Sequence, residues 1–470
     1  MTYSQGEVLI ALFGYFIVIA TIGVSAAQRT KNVSDFTLGG RSLAWPTVAL
    51  STHASGFSGW LLLGLPGMMY VSGLSAFWIM PGLFIGALCS WIFISKRLRT
   101  YSVGYDQDAI TLPQFFIVRT GSKSLAIRLI PPIVVLLFYT VYLASGFIAG
   151  AKLIEAVLGW PYLYALVLGM VLIMVYVTLG GFLASSWTDT FQASMIIIAL
   201  LVVGALAGNQ PSVNIEISID ARWDASSISS ILSLLAWGLG YLGQPHLLAR
   251  FMAIKNVKDL PKAGILGLSW MLVCLVTAAC IGLFGAELIP NLEDPEKIYI
   301  HLAEMLLNPW IAGVVIAAIL AAIMSTVDSQ LVVASAAVTQ DLGIGKSKGL
   351  FMNRITVILL CTFAGLIAID PQSVLDVVAL AWAGLGASFG PALLFCLFWS
   401  QTSEWGVIIG ILVGTFVVLV WELLLPGPLG VIYEMLPAFI LSSLAVFLFS
   451  KWIPSEAARR RAFGKHTETI

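Results

Sequence analysis

Charged residues are scarce in this sequence, since Asp, Glu, Lys and Arg make up only 10% of its 470 residues, against about a quarter in a typical soluble domain. Neither sign is in excess, because 24 Lys and Arg residues balance 24 Asp and Glu residues. The balance excludes a nucleic-acid binder that works through bulk positive charge. The scarcity excludes a disordered chain and almost any soluble enzyme, because a soluble protein needs far more polar surface.

Residues with redox, metal-binding or nucleophilic chemistry are also few. The five cysteines stand in apolar runs without a Cys-x-x-Cys pair, which indicates small buried hydrophobic residues. The four histidines form no His-Glu-x-x-His motif. Residues 238–243 match the dinucleotide-binding glycine pattern, but no strand precedes them, and the pattern needs one. We therefore expect neither an enzyme nor an organic cofactor.

Hydrophobic residues make up 59% of the chain and gather in long runs. A helix needs about 20 mostly apolar residues to cross a bilayer. Thirteen such spans are predicted, over residues 7–27, 45–71, 75–95, 128–152, 161–180, 189–208, 228–250, 263–286, 309–337, 354–369, 373–399, 405–425 and 429–451. The sequence therefore predicts an all-α polytopic membrane protein that forms one transmembrane domain over residues 1–470.

The basic residues predict the orientation, because cytoplasmic loops carry the excess of Lys and Arg. All of them except Lys152, Arg222 and Lys297, 21 of 24, fall in segments that the spans place on one side, Arg250 included. Acidic residues such as Glu216 dominate the two largest loops on the other side. We predict a plasma-membrane protein with its N-terminus outside and its C-terminus in the cytoplasm.

Two spans contain backbone that disfavours a continuous helix. Residues 54–60 hold two glycines and two serines, and residues 237–246 hold three glycines and a proline, all of which lower helix propensity. Interrupted helices at corresponding positions of two halves point to the binding site of a transporter. The alternative is close packing of small residues between regular helices.

The two breaks fall in spans two and seven, which predicts a pair of repeats of five spans each. An odd number of spans inverts the second repeat in the membrane, because each unit ends on the side opposite to its start. The prediction divides the chain into a first repeat (44–208), a second repeat (228–400) and peripheral helices (1–43 and 401–470).

Span nine carries a carboxylate, Asp328, within the predicted membrane. Such a group is costly in lipid and indicates a functional site. Ser325, Asp328 and Ser329 share one helix face, and their oxygens suit a hard cation such as sodium. The alternative is a hydrogen-bonded contact between helices. Asp189, near one end of span six, fits either a site residue or an interfacial helix cap.

Three aromatic residues are candidates for substrate contact. Trp237 and Tyr241 lie four residues apart within the second break, and Tyr142 lies in the middle of span four. Most aromatic residues in membrane proteins serve packing or the interfacial belt, which is the alternative here.

Several long runs of this sequence resemble the sodium/solute symporter family, and within it the proline carriers. The runs cover residues 38–43, 58–62, 64–67, 144–146, 180–182, 186–190, 237–251, 308–313 and 324–326. The resemblance extends over nearly the whole chain. It implies thirteen helices, an inverted five-plus-five repeat and discontinuous helices.

The resemblance also implies the roles of individual residues. A sodium ion would be bound by the backbone carbonyls of Ala54, Phe57 and Ala322 and by the hydroxyls of Ser325 and Thr326.

The implied substrate site involves Tyr142, Trp237, Tyr241 and Pro245. Ser58 and Gly59 would line the same region, while Arg41 and Asp189 match positions that matter for transport in the proline carriers.

The sequence departs from the proline carriers at two positions. Gly56 stands where those carriers have an Asp, and Asp328 stands where such a carrier has a Ser. We hypothesise that Asp328, alone or with Asp189, restores the missing charge and preserves sodium coupling. The alternative is that Asp328 and Asp189 share a proton, since two close carboxylates raise one pKa.

The resulting prediction is a symporter that couples downhill sodium entry to uptake of proline or a similar small zwitterion by alternating access. Its partners would be this substrate, sodium ions and membrane lipid, without nucleic acid. The alternatives are a proton-coupled carrier of a related solute and a membrane solute sensor without transport.

Overall fold

The structure is a computed structural model that describes residues 5–30, 33–103, 108–177, 181–213, 225–345, 349–424 and 432–455. Within these ranges the regular structure is helical, apart from one parallel bridge between Leu43 and Ile254. The α-helices are α1 (Gln5–Ala27), α2 (Val33–Leu38), α3 (Trp45–Phe57), α4 (Gly64–Ser72), α5 (Ile79–Cys89), α6 (Lys96–Tyr101), α7 (Leu112–Thr120), α8 (Leu125–Leu158), α9 (Tyr162–Val177), α10 (Phe182–Gly208), α11 (Ala225–Ala236), α12 (Pro245–Ala253), α13 (Leu260–Leu288), α14 (Ile298–Leu306), α15 (Pro309–Ala336), α16 (Gly349–Ile367), α17 (Val374–Phe398), α18 (Glu404–Leu424) and α19 (Met435–Trp452). Shorter 3-10 or π segments lie at Gly39–Arg41, Gly59–Leu61, Gly73–Trp78, Ser90–Ser95, Trp237–Leu242, Val257–Asp259, Pro295–Lys297 and Ala337–Asp341.

The predicted spans coincide with helices over the described residues. In that part of the chain, nine helices are long and apolar enough to cross a membrane, and three shorter apolar helices cover Tyr162–Leu172, Ile228–Leu242 and Phe351–Ile367. The all-α polytopic fold class is thus confirmed, whereas the count of thirteen spans stays a prediction. Residues 178–180, 425 and 429–431 of those spans, with Glu216 and Arg222, lie outside the described ranges.

The predicted break in span two lies directly after α3. Ser58 has φ 43° and ψ −164°, a backbone conformation outside the helical region. Its Oγ accepts a hydrogen bond from the Trp60 amide at 3.4 Å, and a 3-10 turn then leads to α4. Because α3 stops at Phe57, the carbonyl of that residue has no following helical turn to bond to.

The predicted break in span seven separates α11 from α12. A 3-10 segment, Trp237–Leu242, is followed by Gly243 and the extended Gln244, with φ −77° and ψ 109°. Helix α12 then begins at Pro245, which is favourable at the first turn because its missing N–H would have no helical partner there. The prediction that both helices are discontinuous is therefore confirmed.

Glycines on two neighbouring helices allow this second break to be held by backbone contacts. Gly238 lies directly against the backbone of α5, because a Cβ atom at Gly86 would overlap the Gly238 carbonyl and a Cβ atom at Gly238 would overlap the Gly82 carbonyl. On the opposite side, a Cβ atom at Gly243 would lie 2.6 Å from the amide nitrogen of Gly390 in α17. Small-residue packing, proposed as the alternative to a broken helix, thus accompanies the break.

Candidate functional site

Hydroxyl groups of α15 lie against the end of α3, where that helix breaks. Ser325 Oγ donates to the carbonyls of Ala54 and Ala322, each at 3.0 Å, and Thr326 Oγ1 donates to Ala322 at 3.4 Å. Phe57 ends α3 one turn beyond Ala54. Since a hydroxyl can turn its hydrogen aside and offer a lone pair, these four contacting groups can present oxygens to a cation.

A second polar group lies where α3, α10, α12 and α15 meet. We call Ser51, Ser185, Asp189, Arg250, Asp328 and Ser329 the Asp189 cluster. Arg250 Nη2 lies 3.0 Å from Asp189 Oδ2, and both side chains are 0% exposed. Ser51 Oγ donates to the same carboxylate oxygen at 2.6 Å and accepts from Arg250 Nε at 2.9 Å. Asp189 therefore lies in the interior, and its interpretation as an interfacial cap is wrong.

Two serines connect Arg250 to the second carboxylate of the cluster. Ser185 Oγ donates to Asp328 Oδ1 at 3.1 Å, and Ser329 Oγ donates to the same oxygen at 3.4 Å. Arg250 Nη2 donates to both serines, at 3.4 Å to Ser185 Oγ and at a shorter distance to Ser329 Oγ. The structure thus brings the predicted residues Asp189, Asp328 and Ser329 together.

Arg250, which the sequence counts among the cytoplasmic basic residues, is not a surface residue. Its side chain is fully buried, and its Nη1 donates to the carbonyl of His246 at 2.6 Å. The end of a span is an ordinary place for an interfacial arginine, so position alone suggested the surface. The informative signal was the pair of carboxylates in the membrane, because buried charges require a partner of opposite sign.

The cluster contains more negative than positive charge. Asp189 and Asp328 carry two negative charges when ionised, and Arg250 supplies one positive charge. Asp189 Oδ1 and Asp328 Oδ2 are buried without a hydrogen-bond partner among the described residues. Buried polar oxygens of this kind are costly unless another group satisfies them. The cluster is therefore suited to accept one monovalent cation or one proton.

The predicted substrate residues surround the second break. Tyr142 and Tyr241 are buried, and in the described part of the chain neither hydroxyl has a hydrogen-bond partner. Ser58 is the polar side chain next to the Tyr142 hydroxyl. The Tyr142 ring lies 6.2 Å from that of His246, the residue that follows Pro245.

Two aromatic residues that the sequence did not single out support this region. Trp382 of α17 donates from Nε1 to the Trp237 carbonyl at 2.8 Å, and its ring lies 5.1 Å from that of Tyr241. Tyr433 stacks on Trp237 at 5.2 Å. Both lie among many apolar residues in distant spans, so no local pattern identified them.

Two further predicted residues lie apart from these contacts. Gly59 lies against α8 and α15, since a Cβ atom there would be 2.8 Å from Ala149 Cβ. Arg41 donates to Ser102 Oγ at 2.8 Å and to the carbonyls of Met252 and Ala109 at 3.1 and 2.9 Å. Arg41 thus joins the segment before α3 to the ends of α6 and α12, outside both polar groups.

Comparison with known proteins places these features in a family. The model of the sodium:solute symporter family matches residues 36–414. The sodium/proline symporter of Escherichia coli (strain K12) is 40% identical over 480 residues, which cover 96% of this chain and 95% of that protein. The osmoregulated proline transporter OpuE of Bacillus subtilis (strain 168) is 38% identical over 480 residues, or 97% of each chain.

The fold is shared with solved structures of membrane transporters. A Na+-coupled sialic acid symporter superimposes with a TM-score of 0.76 at 16% identity, covering 96% of this chain and 99% of that one. MhsT in complex with L-phenylalanine gives a TM-score of 0.57 at 12% identity, covering 87% and 98%. The protein is thus a multi-pass membrane transporter and not an enzyme. Specifically, the chain belongs to the sodium:solute symporter family, as the sequence resemblance predicted.

Proposed function

We propose that this protein is a symporter that couples downhill sodium entry to the uptake of proline, or of a similar small zwitterion, by alternating access. The observation that carries the proposal is the contact between Ser325 Oγ and the Ala54 carbonyl. This contact joins the hydroxyl groups of α15 to the broken end of α3. The similarity to sodium/proline symporters and to OpuE supports the choice of ion and substrate.

The proposed sodium ligands are the carbonyls of Ala54, Phe57 and Ala322 and the hydroxyls of Ser325 and Thr326. Oxygen donors of this kind suit a hard cation. Sodium would replace the hydrogen bonds that Ser325 now makes to the two carbonyls.

The proposed substrate site is formed by Tyr142, Trp237, Tyr241 and Pro245, with Ser58 and Gly59 alongside. The N-terminus of α12 at Pro245 offers a positive dipole end to a carboxylate. The unpartnered hydroxyls of Tyr142 and Tyr241 provide hydrogen-bonding groups, and the aromatic rings provide apolar contact.

The break after α3 couples the two proposed sites. Ala54 precedes the break on the cation side, and Ser58 lies in the break beside Tyr142. Sodium that fixes the end of α3 would also fix Ser58, so that each ligand favours the conformation to which the other binds. Asp328 would supply the negative charge that Gly56 does not.

Proton coupling is the second candidate, and the Asp189 cluster supports it. One proton on Asp328 would leave Asp189 paired with Arg250 and the cluster neutral. In this case, uptake would follow the proton gradient and persist without sodium.

We further propose that residues 44–208 and 228–400 form the two inverted repeats and that 1–43 and 401–470 add peripheral helices. The N-terminus would lie outside the plasma membrane and the C-terminus in the cytoplasm. Exposed apolar side chains, such as Leu9 and Phe13 of α1, would contact lipid.

Uptake of labelled proline into proteoliposomes tests the proposal. A sodium gradient should drive accumulation, whereas a proton gradient without sodium should not. Accumulation without sodium would refute sodium coupling, and binding without accumulation would indicate a sensor.

Ser325→Ala tests the proposed cation ligands. The sodium concentration that gives half-maximal uptake should rise at least about tenfold, which corresponds to about 1.4 kcal/mol. Ser335→Ala is the matched control, because buried Ser335 lies on the same helix and donates only within it, to Val332 at 2.9 Å. An equal effect of both substitutions would contradict the assignment.

A further inference from the structure

One aromatic residue of α1 reaches the interior, although the sequence predicts a peripheral helix. Half of the large residues of α1, including Leu9, Phe13 and Ile17, are exposed as expected of a lipid-facing surface. Tyr15 is only 4% exposed, and α1 packs on α10 and α15. These are the helices that carry Asp189 and Asp328.

The Tyr15 hydroxyl contacts both of those helices. Gln192 Nε2 of α10 donates to Tyr15 Oη at 2.7 Å, and Tyr15 Oη donates to Met324 Sδ of α15 at 3.7 Å. Gln192 lies three residues after Asp189, and therefore on the same helix face. Met324 directly precedes Ser325.

These two hydrogen bonds define the orientation of the Gln192 side-chain amide, with its nitrogen toward Tyr15. Because the Tyr15 hydrogen is used by Met324, the Tyr15 oxygen is left to accept, and the amide nitrogen of Gln192 satisfies it. Gln192 Oε1 is consequently the free end of the amide. The side chain is fully buried, and Oε1 has no hydrogen-bond partner in the described ranges.

Besides Gln330 Oε1, three buried oxygens of α10 and α15 lack a donor among the described residues: Asp189 Oδ1, Asp328 Oδ2 and Gln192 Oε1. Asp189 Oδ1 and Asp328 Oδ2, when ionised, and Gln192 Oε1 can only accept hydrogen bonds. A cation can therefore satisfy all three oxygens, whereas a further acceptor cannot. With Arg250 counted, the surrounding charge is −1 when both carboxylates are ionised. A monovalent hard cation matches both the oxygens and the charge.

We propose that Gln192 Oε1 is a ligand of a sodium ion that binds at the Asp189 cluster. Tyr15 is then the positioning residue that orients the Gln192 side chain. This inference rests on the proposed sodium coupling. It makes α1 part of the transport machinery, because the helix fixes the rotamer of an ion ligand on α10.

Tyr15→Phe removes the positioning hydroxyl alone. The half-saturating sodium concentration for uptake should rise about three- to tenfold, as for the loss of one hydrogen bond, while the proline KM at saturating sodium stays unchanged. Tyr162→Phe is the matched control, because the Tyr162 hydroxyl also makes one hydrogen bond, to the Ala368 carbonyl at 2.8 Å, and contacts no residue of the Asp189 cluster. An equal rise in both variants would overturn the positioning role.

Substitutions of Gln192 test the ligand itself. Gln192→Leu should raise the half-saturating sodium concentration at least as much as Tyr15→Phe, and the double variant should resemble Gln192→Leu alone, because Tyr15 acts through Gln192. Gln192→Glu keeps the oxygen and should preserve sodium binding. Sodium-induced stabilisation of the purified protein against heating, without proline, provides a readout independent of uptake and also shows whether each variant is folded.

The outcomes separate this inference from the proposed function. If Gln192→Leu leaves both sodium readouts unchanged while Ser325→Ala shifts them, the ligand role of Gln192 is refuted and sodium symport stands. If uptake by the unmodified protein is independent of sodium, the proposed function fails first.

Discussion

Two clusters of buried charge in this protein differ in how completely their carboxylates are satisfied. One is the Asp189 cluster. The other, which we call the Glu296 cluster, consists of Lys152, Asp294, Glu296 and Ser373 at the N-terminus of α17. Lys152 Nζ lies 2.6 Å from Glu296 Oε2 and 3.2 Å from Asp294 Oδ2.

Both oxygens of Glu296 have two donors. Oε1 accepts from Ser373 Oγ at 3.1 Å and from the Leu375 amide at 3.2 Å, while Oε2 accepts from Lys152 and from the Val374 amide at 3.1 Å. The carboxylate thereby also satisfies the first amides of α17, where a negative charge is favourable.

The Asp189 cluster leaves one oxygen of each carboxylate without a donor among the described residues. The comparison distinguishes a buried ionic network in which every oxygen of the central carboxylate has donors from one in which buried carboxylate oxygens have none, as we propose for a ligand site. The Glu296 cluster is the first kind and the Asp189 cluster is the second. Substitutions in the two clusters should therefore affect different measurements.

The largest effect is expected from Arg250→Gln. It leaves two carboxylates buried without their cation, at a cost of about 3–5 kcal/mol, and uptake should be abolished. Thermal unfolding of the purified protein and proline uptake check both effects. Arg119→Gln is the control, because Arg119 is also buried but donates to the Cys396 carbonyl at 2.8 Å.

A charge-restoring second substitution sharpens the test of Arg250. Adding Asp328→Asn to Arg250→Gln removes one uncompensated charge, so part of the lost thermal stability should return. No recovery would show that the lost hydrogen bonds of Arg250, and not the charge imbalance, dominate.

Glu296→Gln should lower stability without changing ion affinity. It breaks the pair with Lys152, although Asp294 retains part of the charge compensation, so we expect a loss of about 2–3 kcal/mol. The half-saturating sodium concentration should change less than about twofold, which corresponds to about 0.4 kcal/mol. A large shift in sodium dependence would break the distinction between the clusters.

Asp328→Asn should weaken sodium binding with little change in stability, which is the opposite of the result expected for Glu296→Gln. Because Asp328 Oδ2 has no donor in the described residues, replacing this oxygen by the amide nitrogen of Asn removes no hydrogen bond to it. The free energy of unfolding should therefore change by no more than about 1 kcal/mol. The half-saturating sodium concentration should rise about tenfold. Unchanged sodium dependence would remove Asp328 from the cation site.

The smallest effect is expected from Gly56→Asp, which adds the carboxylate that the resemblance to proline carriers implies at this position. A Cβ atom at Gly56 would lie 3.3 Å from Leu247 Cδ2, so a small side-chain shift accommodates it. The added charge near the end of α3 should lower the half-saturating sodium concentration about two- to fivefold, or about 0.4–1 kcal/mol. Sodium titration of uptake measures this change, and a higher requirement would contradict it.

The sequence predicted those features that depend on local chemistry. Glycine, serine and proline identified both breaks, and helical spacing placed Ser325, Asp328 and Ser329 on one face. Arg250, Tyr15 and Trp382 were missed because their roles depend on which helices touch. Periodicity assigns a residue to a helix face, but it does not name the neighbouring helix.

The glycine contacts at the second break also determine which substitutions the chain tolerates. A Cβ atom at Gly86 would overlap the Gly238 carbonyl, one at Gly238 would overlap the Gly82 carbonyl, and one at Gly243 would lie 2.6 Å from the Gly390 amide nitrogen. Even alanine at any of these three positions would therefore push two backbone segments apart. On α1, by contrast, an added Cβ atom at Gly14 or Gly23 meets nothing within 4 Å. Substitutions in this transporter are thus tolerated least where glycines bring two backbone segments into contact, and most at the glycines of α1.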